Sequence, residues 1–422
     1  TVNVTATRES SLGGITDLIK EYRTNIVSSS PVVSETKRIG CADCAAEQYV
    51  AGHNLQTSDL EYVEDMGQRT EYANYDTRGN PGTIIEAAGT LEERVKTYTY
   101  DTRYHSKVAT ITEPSVHAGS KKVTTYLYDD FGNNTAITIS GYKPDGTTVS
   151  RTTTFQFNGT YHQLTQIDGP RSDVSDIYMI TYYPNEVSQG NNRARMKSVT
   201  APLNIPLFSD VTYTKTGKIS TYLSNNVQTT LLYYSGNDRL QTMERHDLDT
   251  GDKQLTEWTY LATGEVKTVT SGYDVADKTT LTFNYDDARR LTSIVDDIGN
   301  KIEYALDTEG NIEQVNYLDT DDVLKKQLTQ TFDVYNRLQL RTQVNERLTE
   351  NWSPDGTLDK VVDGNNVITD YSYDNLRRLT QINQDKGGAS PETADSLTLL
   401  GYDVQDNLTT VTDPVNGQTT YT

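Results

Sequence analysis

The sequence predicts an all-β protein built from antiparallel β-hairpins repeated along the chain. Two features of its composition and one recurring pattern carry this prediction. Only 34% of the 422 residues are hydrophobic, and 29 Tyr far outnumber 6 Phe and 2 Trp. Aromatic and β-branched residues suit a half-exposed strand, whereas so little aliphatic mass does not fill a thick core. We therefore expect thin sheet rather than a globule.

The pattern is an internal repeat, which we number from its aromatic residue as position 0. From Tyr213 onward, nine successive repeats place an aliphatic residue at position +6, and their starts lie 20 to 29 residues apart. Such a period indicates a repeat architecture in which each hairpin packs on its neighbours. The pairs are Tyr213 with Ile219, Tyr234 with Leu240, Tyr260 with Val266, Tyr285 with Leu291, Leu306 with Ile312, Phe332 with Leu338, Trp352 with Leu358, Tyr373 with Leu379 and Tyr402 with Leu408.

Looser copies precede these nine repeats, so that about fourteen are present in all. They begin at Tyr75, Tyr100, Tyr128, Phe157 and Tyr183. Tyr-Asp or Phe-Asp opens the repeats at 75, 100, 128, 285, 332, 373 and 402, whereas Tyr273-Asp274 lies outside the pattern.

The residues that follow the aromatic predict a tight turn. An Asp at +1 accepts backbone N–H bonds from the next residues, and Gly, Asn or Asp at +4 tolerates a positive φ. Arg289 and Arg377 are exceptions at +4. The position is Gly at Gly79, Gly132, Gly217, Gly264, Gly310 and Gly356, and Asn or Asp at Asp238, Asn336 and Asp406.

Each repeat is therefore expected to be one β-hairpin. The residues after the turn, such as Leu291-Thr-Ser-Ile294, favour a strand that runs to a second polar turn, such as Asp363-Gly364-Asn365. The chain then returns through a strand such as Tyr371-Ser-Tyr373. Residues 71–422 form this array, and residues 1–70 form a separate N-terminal region.

The N-terminal region lacks the repeat. Ile15, Leu18, Ile19, Tyr22 and Ile26 fall at helical spacing, which predicts a short amphipathic helix. A cap, a plug or a linker would fit this pattern, and degenerate repeat strands are the alternative.

The charge of the chain restricts its partners. There are 38 Lys and Arg against 59 Asp and Glu, a formal net charge of −21. Such a surface repels phosphate backbones, so we expect no nucleic-acid partner, although a basic protein would be attracted. No stretch has the roughly 18 consecutive apolar residues of a membrane-spanning helix.

Few residues in the sequence suggest a catalytic or metal-binding site. Cys41 and Cys44 lie close enough in sequence for a local disulfide, and with His53 they would supply three zinc ligands, but no fourth ligand is evident. Asp247–Asp252 and Asp319–Asp322 resemble the start of a calcium loop, but the first lacks its final Glu, and we interpret both as hairpin tips. We find no nucleophile, phosphate-loop or zinc-protease motif. We therefore expect no enzyme activity, metal or cofactor.

The repeat resembles the Tyr-Asp-x-x-Gly-Arg/Asn-Leu-Thr signature of the Rhs/YD-repeat family. The stretches that carry the resemblance begin at Tyr75, Tyr285, Tyr373 and Tyr402. The family includes bacterial Rhs toxins, B and C components of toxin complexes, and teneurins. The resemblance implies a β-sheet ribbon that spirals into a hollow shell, which in several members encloses a C-terminal toxin.

The expected function follows from this resemblance. We expect a non-catalytic shell segment of a secreted or cell-surface protein that encloses or presents a C-terminal effector. The repeat after Tyr402 breaks off at Tyr421-Thr422, so we expect a longer protein whose missing downstream part, or a toxin cargo, is the partner. The alternative is a cell-surface adhesin or carbohydrate-binding scaffold whose exposed tyrosines stack on sugar rings.

Overall fold

The computed structural model describes most of the chain. The described residues are 7–12, 15–21, 34–39, 49–54, 57, 59–65, 68–272, 278–333, 336–343, 346–353, 355–385 and 396–421. Side chains are described from residue 51 onward.

The prediction of an all-β fold of repeated antiparallel hairpins is confirmed. Apart from two short 3-10 helices, Val187–Asn192 and Pro202–Asn204, the regular structure of the described residues consists of strands. The first strands are β1 Thr7–Leu12, β2 Ile15–Glu21, β3 Ser34–Ile39, β4 Tyr49–His53, β5 Leu60–Asp65, β6 Gln68–Ala73, β7 Thr83–Glu86, β8 Arg94–Tyr100, β9 Val108–Pro114, β10 Lys121–Tyr128, β11 Asn134–Tyr142 and β12 Thr148–Phe157. The next are β13 Leu164–Asp168, β14 Ile177–Tyr182, β15 Met196–Ala201, β16 Ile205–Tyr213, β17 Ile219–Ser224, β18 Val227–Tyr233, β19 Leu240–Asp247, β20 Lys253–Tyr260, β21 Val266–Ser271, β22 Thr279–Tyr285 and β23 Leu291–Val295. The last are β24 Lys301–Leu306, β25 Ile312–Leu318, β26 Leu324–Phe332, β27 Leu338–Gln343, β28 Glu346–Trp352, β29 Leu358–Val362, β30 Ile368–Tyr373, β31 Leu379–Asp385, β32 Ser396–Tyr402, β33 Leu408–Thr412 and β34 Gln418–Thr420.

The chain divides into two structural units. The first contains Thr1–Leu127, Thr138–Ser150 and Gln330–Thr422, and the second contains Tyr128–Ile137 and Arg151–Thr329. In the second unit, each strand from β13 to β25 pairs antiparallel with the strand that follows it. In the first unit, the same sequential pairing connects β4 to β10 and β27 to β34.

The helix predicted from Ile15 was wrong. The backbone is extended from Ile15 to Glu21 and pairs with β1 on one side and β3 on the other. Three of the first five residues, Ile15, Thr16 and Ile19, are β-branched, and such residues favour strands once a partner strand satisfies the backbone. Tyr22 and Ile26 lie outside the described residues.

The sheet is thin, as the composition predicts. Among the side chains that the structure describes, Ala51, Ala87, Ala136, Val211 and Val315 are the only apolar ones that are buried. Most strand residues are half-buried, because each face is covered by neighbouring side chains and not by a second layer. The expected boundary at residue 70 falls within β6, Gln68–Ala73.

Candidate functional site

The candidate functional site is the turn that opens each repeat, since it contains the recurring residues. In the repeat at Tyr285, the Asp286 amide donates to the carbonyl of Arg290 over 3.0 Å, and the Arg289 amide donates to the carbonyl of Asp286 over 2.9 Å. The Asp286 carboxylate accepts the Arg290 amide over 2.8 Å and its Nε over 2.7 Å. One aspartate therefore closes the turn through both its backbone and its side chain.

The same turn recurs with either Asn or Arg at position +5. Asp403, for example, accepts the amide of Asn407 over 3.0 Å and its Nδ2 over 2.8 Å. Equivalent carboxylate contacts are made by Asp76, Asp129, Asp307, Asp333 and Asp374.

Position +4 is left-handed in these turns, as its residue types predict. Arg289 and Arg377 adopt φ values of 65° and 58°, so these two arginines carry the backbone strain that glycine avoids elsewhere. The others with positive φ are Gly79, Gly132, Gly217, Gly264, Gly310, Gly356, Asp238, Asn336 and Asp406.

The aromatic and aliphatic residues of a repeat face each other across the two strands. Tyr285 is the register partner of Leu291, and a bulge precedes the pair. Such directly opposed side chains stabilise a hairpin next to its turn. The same pairing holds for Tyr213 with Ile219, Tyr260 with Val266, Leu306 with Ile312, Trp352 with Leu358, Tyr373 with Leu379 and Tyr402 with Leu408. Phe332 ends β26 and Leu338 begins β27, on either side of the turn at Asp333.

In two repeats, the aromatic residue that pairs across the turn lies one position before the residue that the sequence pattern predicts. Leu240 pairs with Tyr233, not with Tyr234, because the turn is one residue longer and the Tyr234 amide occupies the place of the aspartate by donating to the carbonyl of Arg239. In the same way Tyr182, not Tyr183, pairs with Met196.

A hydrogen bond that the sequence did not predict connects successive repeats. In nine repeats the aromatic side chain at or just after the end of a strand donates to the backbone carbonyl of the first residue after the preceding turn, a contact that we call the tyrosine clasp. Tyr260, for example, donates its hydroxyl to Leu240 over 2.9 Å. The other donors and acceptors are Tyr75 to Leu60, Tyr100 to Pro81, Tyr182 to Leu164, Tyr213 to Met196, Tyr233 to Ile219, Tyr285 to Val266, Trp352 (through Nε1) to Leu338, and Tyr402 to Leu379.

Cations directly before the acceptor residue reinforce the clasp. The Arg378 guanidinium lies 5.0 Å from the ring centroid of Tyr402 in the next repeat, and its Nη1 donates to the Asp403 carbonyl over 2.8 Å. A cation over an aromatic face is attracted by the ring. Corresponding pairs are Arg195 with Tyr213, Lys218 with Tyr233, Arg239 with Tyr260, and Arg337 with Trp352.

Both recurring ionisable residues have perturbed pKa values. Burial raises the pKa of the clasp residues Tyr213, Tyr260 and Tyr285, because the phenolate would lose its hydration. The pKa of Asp286 is lowered by the hydrogen bonds from the Arg290 amide and guanidinium. The fold therefore favours neutral hydroxyls at these three tyrosines and an ionised carboxylate at Asp286.

A second set of contacts lies within the first structural unit, between segments 283 to 312 residues apart. Turns 374–378 and 403–407 meet residues between 65 and 114, and we call this contact the seam. Arg377 donates through Nη2 to the Asp65 carbonyl over 2.8 Å, with Nη1 3.8 Å from Asp65 Oδ2. The further hydrogen bonds run from Gln68 to the Asn375 carbonyl, from Asn375 to Glu92, and from Gln405 to the Pro114 carbonyl.

The center of the seam is a chain of charges. Arg94 Nη1 donates to Asp406 Oδ2 over 2.8 Å, and Arg378 Nη1 lies 3.0 Å from Asp406 Oδ1. Glu86 and Asp374 extend the chain at its two ends, 3.2 Å from Arg94 and 2.7 Å from Arg378. Burial opposes ionisation of Asp406, but Arg94 and then Arg378 outweigh it, so the pKa of Asp406 is lowered.

The remaining sequence candidates are placed as follows. Asp247–Asp252 and Asp319–Asp322 form the hairpin tips between β19 and β20 and between β25 and β26, as predicted. Cys41 and Cys44 lie outside the described residues, as does Tyr273. His53 ends β4.

In the described part of the chain, no cluster of three His, Cys, Asp or Glu side chains is arranged to hold a metal ion. No helix among the described residues has the length and apolarity to cross a membrane.

Comparison with known proteins found structural similarity only. No family model and no curated protein matches the chain. Among solved structures, the crystal structure of TcdB2-TccC3-Cdc42 is 11% identical over 94% of this chain and 24% of that chain, with a TM-score of 0.49. The crystal structure of TcdB2-TccC3 is 10% identical over 98% of this chain and 29% of that one, with a TM-score of 0.35. The Photorhabdus luminescens Tc holotoxin pore is 10% identical over 97% and 28%, with a TM-score of 0.34. The chain spans about a quarter of the length of these proteins.

Proposed function

We propose that this chain is a non-catalytic structural wall made of stacked β-hairpins. The tyrosine clasp is the observation that carries this proposal. The side chains that recur in the sequence, Tyr at position 0, Asp at +1 and Arg at +5, use their hydrogen-bonding groups on the turn or on the adjacent repeat. A recurring polar side chain that binds its own turn or the adjacent repeat serves assembly of the sheet.

The finer proposal is that the wall belongs to a Rhs/YD-repeat protein that is secreted or displayed at the cell surface. There it encloses or presents a C-terminal effector, which is its partner. The repeated Tyr-Asp turn supports this assignment, and the negative charge of the chain suits a basic partner segment.

Limited proteolysis of a natural protein in which an effector segment follows residue 422 tests this proposal. We expect the segment that follows residue 422 to resist protease while the wall is folded. The variant in which Tyr213, Tyr260 and Tyr285 are changed to Phe should still contain this segment before protease is added. In that variant the segment should be cut by protease. A downstream segment that is cut equally fast in the natural protein and in the variant would contradict an enclosing role.

A second function, carbohydrate binding by a surface scaffold, is favoured by exposed tyrosine rings outside the clasps. Tyr142, Tyr178 and Tyr317 are 37 to 39% exposed, and aromatic rings of this kind stack on sugars. Binding on a glycan array that is lost when these three residues are changed to Ala would support this function. Binding that is unchanged in the variant, or no binding by the natural protein, would show that these residues do not bind carbohydrate.

A further inference from the structure

The seam differs from the rest of the first structural unit in how it is held. On one side, β30 pairs with β31 and β32 with β33; on the other, β5 pairs with β6 and β7 with β8. Each partner therefore has its own backbone ladder. Every hydrogen bond described above for the seam has a side chain as its donor.

The seam also contains charged pairs whose carboxylates reach water. Arg94 is 13% exposed, whereas its partner Asp406 is 48% exposed. The Debye length in water falls to about 3 Å at 1 M salt, which is close to the distances within these pairs, so high salt weakens the pairs that reach solvent. Backbone ladders inside a hairpin respond far less to salt, because their dipoles are neutral.

Two residues of the seam lie at the left-handed position of their turns. Arg377 and Asp406 occupy position +4, where six other repeats use Gly, and both have positive φ. Arg in this conformation costs about 1 kcal/mol, whereas Asp tolerates it. Both side chains contact the opposite side of the seam.

From these three observations we infer that the seam is a reversible electrostatic latch. Turns 374–378 and 403–407 form a docking strip for the hairpin ends between Asp65 and Pro114, and the two sides separate without unfolding of either. Arg377 and Asp406 are the residues that specify which hairpins dock. The latch stands whether or not the wall encloses an effector, because it involves only residues of this chain.

Carbodiimide cross-linking, which joins an amine to a carboxylate in contact with it, tests the latch in the whole chain. The variant Arg377→Lys places an amine opposite Asp65. The matched control is Arg289→Lys, because Arg289 has the same position, a similar φ and a carboxylate partner, Glu265, at 3.6 Å within adjacent hairpins. Mass spectrometry of the peptides reports each cross-link.

We expect both cross-links at low salt. In 1 M salt, the link between position 377 and Asp65 should fall at least fivefold, while the link between position 289 and Glu265 and the far-ultraviolet circular dichroism stay unchanged. Adding Asp406→Asn should reduce the 377 link at low salt, whereas adding Asp238→Asn, at the same turn position outside the seam, should not.

Two results would overturn the inference. Absence of the 377 link at low salt, with the 289 link present, would show that the two sides do not meet in solution. A 377 link that persists in 1 M salt and with Asp406→Asn would show a fixed contact and not a latch.

Discussion

The Tyr260 hydroxyl donates a 2.9 Å hydrogen bond to the backbone carbonyl of Leu240, the residue that begins the strand after the preceding turn. The Arg239 guanidinium lies over the same ring, 5.4 Å from its centroid. Tyr285 repeats the hydrogen bond one hairpin later, to Val266. The preference for Tyr over Phe in this chain follows from this contact, because Phe has the ring but lacks the donor.

Adding the missing hydroxyl at Leu306 should stabilise the chain. Leu306 occupies position 0 but has no donor, and Arg290 precedes Leu291 as Arg239 precedes Leu240. We expect Leu306→Tyr to donate to the carbonyl of Leu291 and to raise the free energy of unfolding by about 1 kcal/mol, measured by urea denaturation. Leu306→Phe is the control, and an equal gain in both variants would assign the effect to the ring alone.

Removing a turn carboxylate should destabilise its hairpin. Asp374, whose side chain is 9% exposed, accepts the amides of Leu376 and Arg378 and pairs with the Arg378 guanidinium over 2.7 Å. We expect Asp374→Ala to lower the free energy of unfolding by about 2 kcal/mol, because the guanidinium loses its partner. Asp374→Asn retains an amide acceptor and should cost less in the same urea titration. Equal losses for Ala and Asn would contradict this account.

The left-handed turn position has a cost that can be measured at Gly310. Its φ is 96°, and a Cβ there would come no closer than 3.9 Å to Arg290 Cδ, so an added methyl group meets backbone strain but no clash. We expect Gly310→Ala to lower the free energy of unfolding by about 1 to 2 kcal/mol. Gly310→Asn should lower it less, since Asn tolerates this conformation. A neutral Gly310→Ala would mean that the turn relaxes.

Alkaline pH should unfold the chain through its clasp tyrosines. Burial raises the pKa of Tyr213, Tyr260 and Tyr285 above the unfolded value. Their stabilising contribution is therefore fully present below about pH 10 and is lost as the pH rises through the folded pKa. We expect ultraviolet absorbance of tyrosinate to appear at higher pH in the folded chain than in urea, together with loss of β-sheet circular dichroism. Coincident titrations in the two conditions would contradict this prediction.

The repeat made the structure within each hairpin predictable from the sequence. The contacts between hairpins could not be predicted in this way. The pairing of Tyr285 with Leu291 and the positive φ of Gly310 follow from a turn of five residues, which is encoded where it occurs. At Tyr234 the register is shifted by one residue, because the consecutive tyrosines Tyr233 and Tyr234 leave the aromatic position ambiguous in the sequence.

The tyrosine clasp and the seam depend on which hairpins become neighbours in space. The contact between Arg377 and Asp65 spans 312 residues, so no local pattern indicates it. At Ile15–Glu21, three β-branched residues and two partner strands outweighed an apolar spacing that also fits a helix.

The central claim is that the tyrosine hydroxyls hold successive hairpins together, and one comparison of two triple variants tests it most directly. Tyr213, Tyr260 and Tyr285 are changed to Phe in the first variant, and the exposed Tyr142, Tyr178 and Tyr317 in the second. Urea unfolding is then measured for both. We predict that the first variant loses about 3 kcal/mol, at about 1 kcal/mol per hydrogen bond, and that the second changes by less than about 0.5 kcal/mol. Equal stability of the two variants would contradict the claim.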